Sequence, residues 1–118
     1  MGPPRNLAAA LDRLDWATSG VMGEEVVRNA RSIIQLVYNI DPDIPPPDIS
    51  GLRGWIMFVW PGCVSFGVDS LPAKVVAVTI AHEGPPIEFG IATDAELRVL
   101  ADHVVDGMHR KRHIWGAE

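Results

Sequence analysis

The stretch from Gly54 to Asp69 constrains the fold more than any other part of the chain. Six large apolar residues in a row, Trp55-Ile56-Met57-Phe58-Val59-Trp60, meet Pro61-Gly62, and the residues from Cys63 to Asp69 then alternate. Aromatic and β-branched residues on either side of a Pro-Gly turn predict a β-hairpin, although a type II turn fits hairpin twist less well than the primed types. Along the first of these strands Trp55, Met57 and Val59 point one way and Ile56, Phe58 and Trp60 the other. That strand has no polar side, so both faces of its sheet call for cover.

Residues 73–82 predict a third strand and residues 87–92 a fourth, joined by short loops into an antiparallel meander. Alternation assigns Val64, Phe66, Val68, Val76, Val78, Ile80, Ile87, Phe89 and Ile91 to a bulky core face. The opposite face is mostly small, with Ser65, Gly67, Ala77, Thr79 and Gly90.

Two helices are expected before the sheet. Pro3 and Pro4 can open the first, and Leu7, Ala10, Leu11, Leu14 and Ala17 then recur at helical spacing. Trp16 falls nearly opposite Leu7, on the side that carries Asp12, which makes it a candidate interface residue. Glu24 and Glu25 suit the first turn of a second helix that runs to about Asn39, with Val26, Val27, Ala30, Ile33, Ile34, Val37 and Tyr38 on a broad apolar arc. Asp41 to Asp48 holds four prolines and reads as a stiff crossing from helix to sheet. After the sheet, Thr93-Asp94-Ala95-Glu96 is a capping box that starts a helix with Leu97, Leu100, Ala101, Val104, Val105 and Met108 on one face. Ile114-Trp115 is a late apolar pair beyond it.

The expectation is one α+β domain over residues 1–118 in the order ααββββα, with an antiparallel four-stranded β-meander, two N-terminal helices and one C-terminal helix. The first two helices are expected on the bulky face and the last on the other face or across an edge.

The chemistry-bearing residues form no complete set. The net charge of -5 argues against a nucleic-acid partner, and Arg110-Lys111-Arg112 reads as cations at a helix C-terminus. The single cysteine, Cys63, forms no intramolecular disulfide and points to a reducing, cytoplasmic setting. No membrane span is expected. His109 and His113 have the i, i+4 spacing of two metal ligands, but no further His, Cys or Glu completes a shell, so neither metal nor cofactor is expected. His82 and Glu83, with Asp69 near, could serve a hydrolytic site, yet adjacent residues on an extended chain point to opposite sides. No phosphate loop or nucleophile elbow is present.

Two helices followed by Leu52-Arg53-Gly54 at the entry to a meander loosely resemble, over about residues 4–82, the small ribosome-dependent RNA-cleaving toxins of toxin–antitoxin modules. The chain departs from their pattern, since those toxins are basic, begin with a strand, and carry Arg, Lys, Tyr or His where Ser65, Val68 and Thr79 stand here. No catalytic residue is carried over. The residues themselves favour a small non-enzymatic protein-binding module, an inhibitor or adaptor of the kind phages and mobile elements encode, bound to another protein or to itself. The alternatives are a toxin-like RNA-cleaving or hydrolytic domain around His82 and Glu83, and a virion or other assembly subunit. Interface candidates are Trp16, Trp55, Trp60, Trp115, Arg110 and Arg112, because indoles and arginines are enriched where proteins meet.

Overall fold

The computed structural model describes residues 5–19, 24–52, 55–61, 64–69, 75–79, 87–89 and 93–116. Its elements in chain order are α1 (Arg5–Thr18), α2 (Glu24–Ile40), β1 (Asp48–Leu52), β2 (Trp55–Trp60), β3 (Val64–Asp69), β4 (Val75–Thr79), β5 (Ile87–Phe89), α3 (Asp94–Arg110) and the single turn α4 (Arg112–Trp115). The strands pair antiparallel with their neighbours in sequence, in the order β1-β2-β3-β4-β5. The α+β class therefore holds, but among the described residues the sheet has five strands where four were expected. The additional strand is β1, whose residues pair from Asp48 opposite Val59 to Leu52 opposite Trp55. Asp, Ser and Gly are poor strand formers, so pairing with β2 rather than propensity makes this segment a strand.

Register decides which side chains meet. Phe58 stands opposite Phe66, Ile56 opposite Val68 and Trp60 opposite Val64, and all six are buried. The Phe58 and Phe66 rings stack at 4.3 Å between centroids, and Trp60 lies 5.5 Å from Phe66. Burial of each such ring contributes about 1.5–3 kcal/mol. On the other face Met57 and Val59 are half-buried, beside Ser65 and Gly67. Pairing of β3 with β4 places Val75, Ala77 and Thr79 opposite Val68, Phe66 and Val64; the side chains of β4, and with them the expected faces of Val76 and Val78, lie outside the described residues.

The three long helices form one layer on one side of the sheet. α1 lies along β1 and beside α2, α2 reaches β3, and α3 packs beside α2 over β3 and β4. α3 was expected on the opposite face or across an edge. Its stripe Leu97, Leu100, Ala101, Val104, Val105 and Met108 instead joins Phe58, Phe66 and the α2 arc in a single buried cluster. The arc on α2, with Val26, Ala30, Ile33, Ile34, Val37 and Tyr38 all buried, is wide enough to meet a helix on each flank and the sheet below. Widths also match. Three helix axes about 9 Å apart span about 18 Å, and five strands about 4.8 Å apart span about 19 Å.

α3 begins as its sequence indicates. The Thr93 hydroxyl accepts from the Glu96 N–H at 3.2 Å, and the Glu96 carboxylate accepts from the Thr93 N–H at 2.9 Å. Of the turn expected at Pro61-Gly62, Pro61 is described and exposed, whereas Gly62 and Cys63 lie outside the described residues.

The proline segment is fixed by side-chain donors on its carbonyls. Asn6 donates to Pro42 O at 3.3 Å, Tyr38 to Pro45 O at 2.8 Å, and Arg13 to Pro46 O and Pro47 O at 3.3 and 2.8 Å. The Tyr38 hydroxyl also accepts from the buried Trp60 Nε1 at 3.2 Å. Burial pushes the Tyr38 phenol up to about 12, against the opposing effects of Trp60 and Arg13, so it remains a donor at ordinary pH.

Two outcomes follow for stability, both measured by denaturant unfolding. Thr93→Ala is expected to cost about 1 kcal/mol through loss of the cap. Tyr38→Phe is expected to cost about 1–3 kcal/mol, because it leaves a buried indole N–H without its acceptor; an unchanged midpoint would show that the Trp60 N–H finds another partner.

Candidate interaction surface

At the β1 edge of the molecule α1 overhangs the sheet, and its residues divide by helical spacing. Ala10, Leu14 and Thr18 face inward and are buried, and Thr18 Oγ1 donates back to Leu14 O at 2.8 Å in the last turn. Trp16, two residues beyond Leu14, is turned about 200° away from it. It is 79% exposed, the most exposed of the large apolar side chains among the described residues. Arg13 on the adjoining flank spans from the Pro46 and Pro47 carbonyls to within 3.8 Å of the Asp48 carboxylate. Asp15, on the α2 side, pairs with Arg31 at 2.8 Å. Together Arg13, Trp16 and Ala17 on α1 and Asp48 and Ile49 on β1 line an open cleft of about 350 Å³.

The other sequence candidates fall elsewhere. Trp60 is 1% exposed and belongs to the core; the parity that places it with Ile56 and Phe58 removes it from any surface. Trp55 begins β2, opposite Asp69, and its side chain lies outside the described residues. Trp115 folds back half-buried and donates its indole N–H to Met108 O at 2.7 Å. Arg112 lies over that indole, 5.6 Å from the ring centroid, and Arg110 pairs with Asp106 one turn back at 2.7 Å. Arg110 and Arg112 are thus engaged within their own end of the molecule, with Ile114 standing 57% exposed beside them. His82 and Glu83 lie outside the described residues.

One polar contact ties that end to the centre of the chain. His109 Nε2 lies 2.7 Å from Asp41 Oδ2, and the same carboxylate accepts from the Asp43 N–H at 3.0 Å. Burial works to raise the Asp41 carboxyl. The hydrogen bonds from His109 and Asp43 and the charges of His109 and Arg112 outweigh it and hold the group below its ordinary value. The His109 contact was not visible in the sequence, since Asp41 and His109 are 68 residues apart.

Among the described residues, no group of three or more His, Cys, Asp or Glu side chains converges as a metal site would require. No buried side-chain nitrogen or oxygen there is without a hydrogen-bond partner. No described helix is long and apolar enough to cross a membrane. Comparisons of the chain with family models, with curated proteins and with solved structures found no match in any of the three.

The lowered Asp41 carboxyl predicts a contribution to the protein's response to acid. A carboxyl held below its unfolded value contributes stability that is fully present above that value and is lost as pH falls through the folded one. Stability is therefore expected to decline as pH drops below the ordinary value of 3.8. Asp41→Asn is expected to flatten that part of the decline in chemical unfolding measured at a series of pH values. An identical slope in the variant would mean that other carboxylates carry the acid sensitivity.

Proposed function

We propose that the chain is a small protein-binding module, an adaptor or inhibitor that acts by contact, and that the corner of α1 and β1 is its contact surface. The observation that carries this reading is Trp16, 79% exposed on a helix whose other face is locked into the core. A large indole in solvent on an ordered element gains most from being covered, and Trp is prominent among residues that dominate binding energy. The cleft beside it supplies the geometry of an anchor site, with an apolar floor at Ile49 and Ala17 and polar groups at Arg13 and Asp48. The ion pairs and backbone hydrogen bonds around Arg13 and Asp15 hold α1 in place, so the indole is presented without a folding cost on binding.

Trp16→Ala tests the reading with Ile114→Ala as the control, since the two residues are exposed at different ends of the fold. The Trp16 variant is expected to unfold within about 0.5 kcal/mol of the parent. It should lose its partner from a source-cell extract by a factor of about 30, as a binding hot spot would, while the Ile114 variant keeps it. Retention by the Trp16 variant and loss by the Ile114 variant would move the contact surface to the C-terminal turn.

A further inference from the structure

We propose that the outward stripe of α1 is a self-association surface, on which a second copy of this chain packs its own α1 antiparallel about a two-fold axis between Ala8 and Ala9. This rests on the binding-module reading and names what covers the helix that carries Trp16.

α1 turns Ala10, Leu14 and Thr18 toward the core. At about 100° per residue Arg5, Ala8, Asp12 and Trp16 fall within about 80° of one another on the opposite side of the helix, with Arg5 directly across from Leu14. All four are exposed, and Ala9 at the margin of the stripe is half-buried. The charges on the two flanks are engaged, Arg13 with the Pro46 and Pro47 carbonyls and Asp15 with Arg31. Those on the stripe are open: among the described residues the side chains of Arg5 and Asp12 have no hydrogen-bond or ion-pair partner.

The stripe carries its own complement. Arg5 and Asp12 lie equally far from the junction of Ala8 and Ala9, one toward each end of the helix. An antiparallel pair about that junction therefore sets Arg5 of each copy beside Asp12 of the other, twice by symmetry, as an isologous contact requires. A parallel pair would set Arg5 beside Arg5 and Asp12 beside Asp12, which repels. Only alanine methyl groups meet at the axis, so the helices can come to the short end of the usual spacing of about 8–10 Å. Helical side chains lean toward the N-terminus, and for the antiparallel copy that direction leads from Asp12 toward Trp16. Each arginine thus reaches the indole one turn beyond the carboxylate it pairs with, which adds a cation–π contact and covers the exposed ring.

One helix per copy limits the strength of the contact. The 14 residues of α1 span about 21 Å, which places the interface among small, reversible contacts rather than obligate ones. Its ion pairs lie at the surface, so association should weaken as salt is added.

The test follows the mass of the full chain by sedimentation equilibrium over a range of concentrations, with the Trp16 indole resonance recorded alongside. The mass is expected to rise toward that of two chains with a Kd below about 1 mM, and the indole signal to shift with it. Arg5→Asp and Asp12→Arg each put like charges together at both ends of the contact. Each is expected to weaken association at least about tenfold, with the circular dichroism of the fold unchanged. Mixing the two variants is expected to restore association, because one stripe then carries only acids and the other only bases. A chain that stays monomeric, a dimer indifferent to both reversals, variants that remain apart when mixed, or association without movement of the Trp16 signal would each overturn the proposal. If Trp16→Ala loses a partner from the extract while the charge reversals leave the mass untouched, the binding module stands and self-association through α1 falls.

Discussion

A short relay of hydrogen bonds joins the three parts of the molecule: the Trp60 indole of the sheet donates to the Tyr38 hydroxyl of α2, which donates to the Pro45 carbonyl of the crossing segment. Each link answers a problem created by the sequence. A buried indole N–H needs an acceptor, a buried phenol needs a partner on each side of its oxygen, and a proline run offers carbonyls with few amide hydrogens to bond among themselves. The Tyr38 phenol meets the first two needs and part of the third. Arg13 and Asn6 of α1 take further carbonyls of the same segment, so α1 is tied to the start of β1 by polar contacts as well as by packing.

The layer geometry then determines what remains open. With α1 along β1 and α3 over β3 and β4, the helices cover one face of the sheet as far as the β1 edge. A helix stationed above an end strand both shields the apolar residue beneath it, Ile49, and overhangs the space outside it. Trp16 lies on that overhang because α1 turns Leu14 and Thr18 toward the core. The exposed tryptophan and the uncovered strand edge are thus two results of one placement.

Much of this was legible in the sequence where the cause is local. The capping box at Thr93 and Glu96 operates within a single turn, and the α2 arc is a matter of helical period, so both were readable. Trp16 also followed from period alone. What was not readable depended on partners distant in the chain. β1 is a strand by virtue of β2. Trp60 looked available for an interface because both sides of its strand are apolar; only the ladder shows it sharing the buried side with Phe58. Arg13 gave no signal at all, since its carbonyl partners are 33 and 34 residues away. The expected position of α3 failed for a related reason. A wide arc on α2 indicates two neighbours, but not that the second would be a helix from the far end of the chain.

The arrangement of α3 bears on how the chain reaches its fold during synthesis. Strands β1 to β5 pair with sequence neighbours, so the sheet can zip up from nearby segments as they emerge. The flank of α2 that receives Leu97, Leu100, Val104 and Met108 has no such early partner and waits until the last helix has left the ribosome. Until then that flank of the central helix lacks the cover that the last helix gives it in the finished fold. That interval, rather than the finished fold, is when a chaperone has most to offer it.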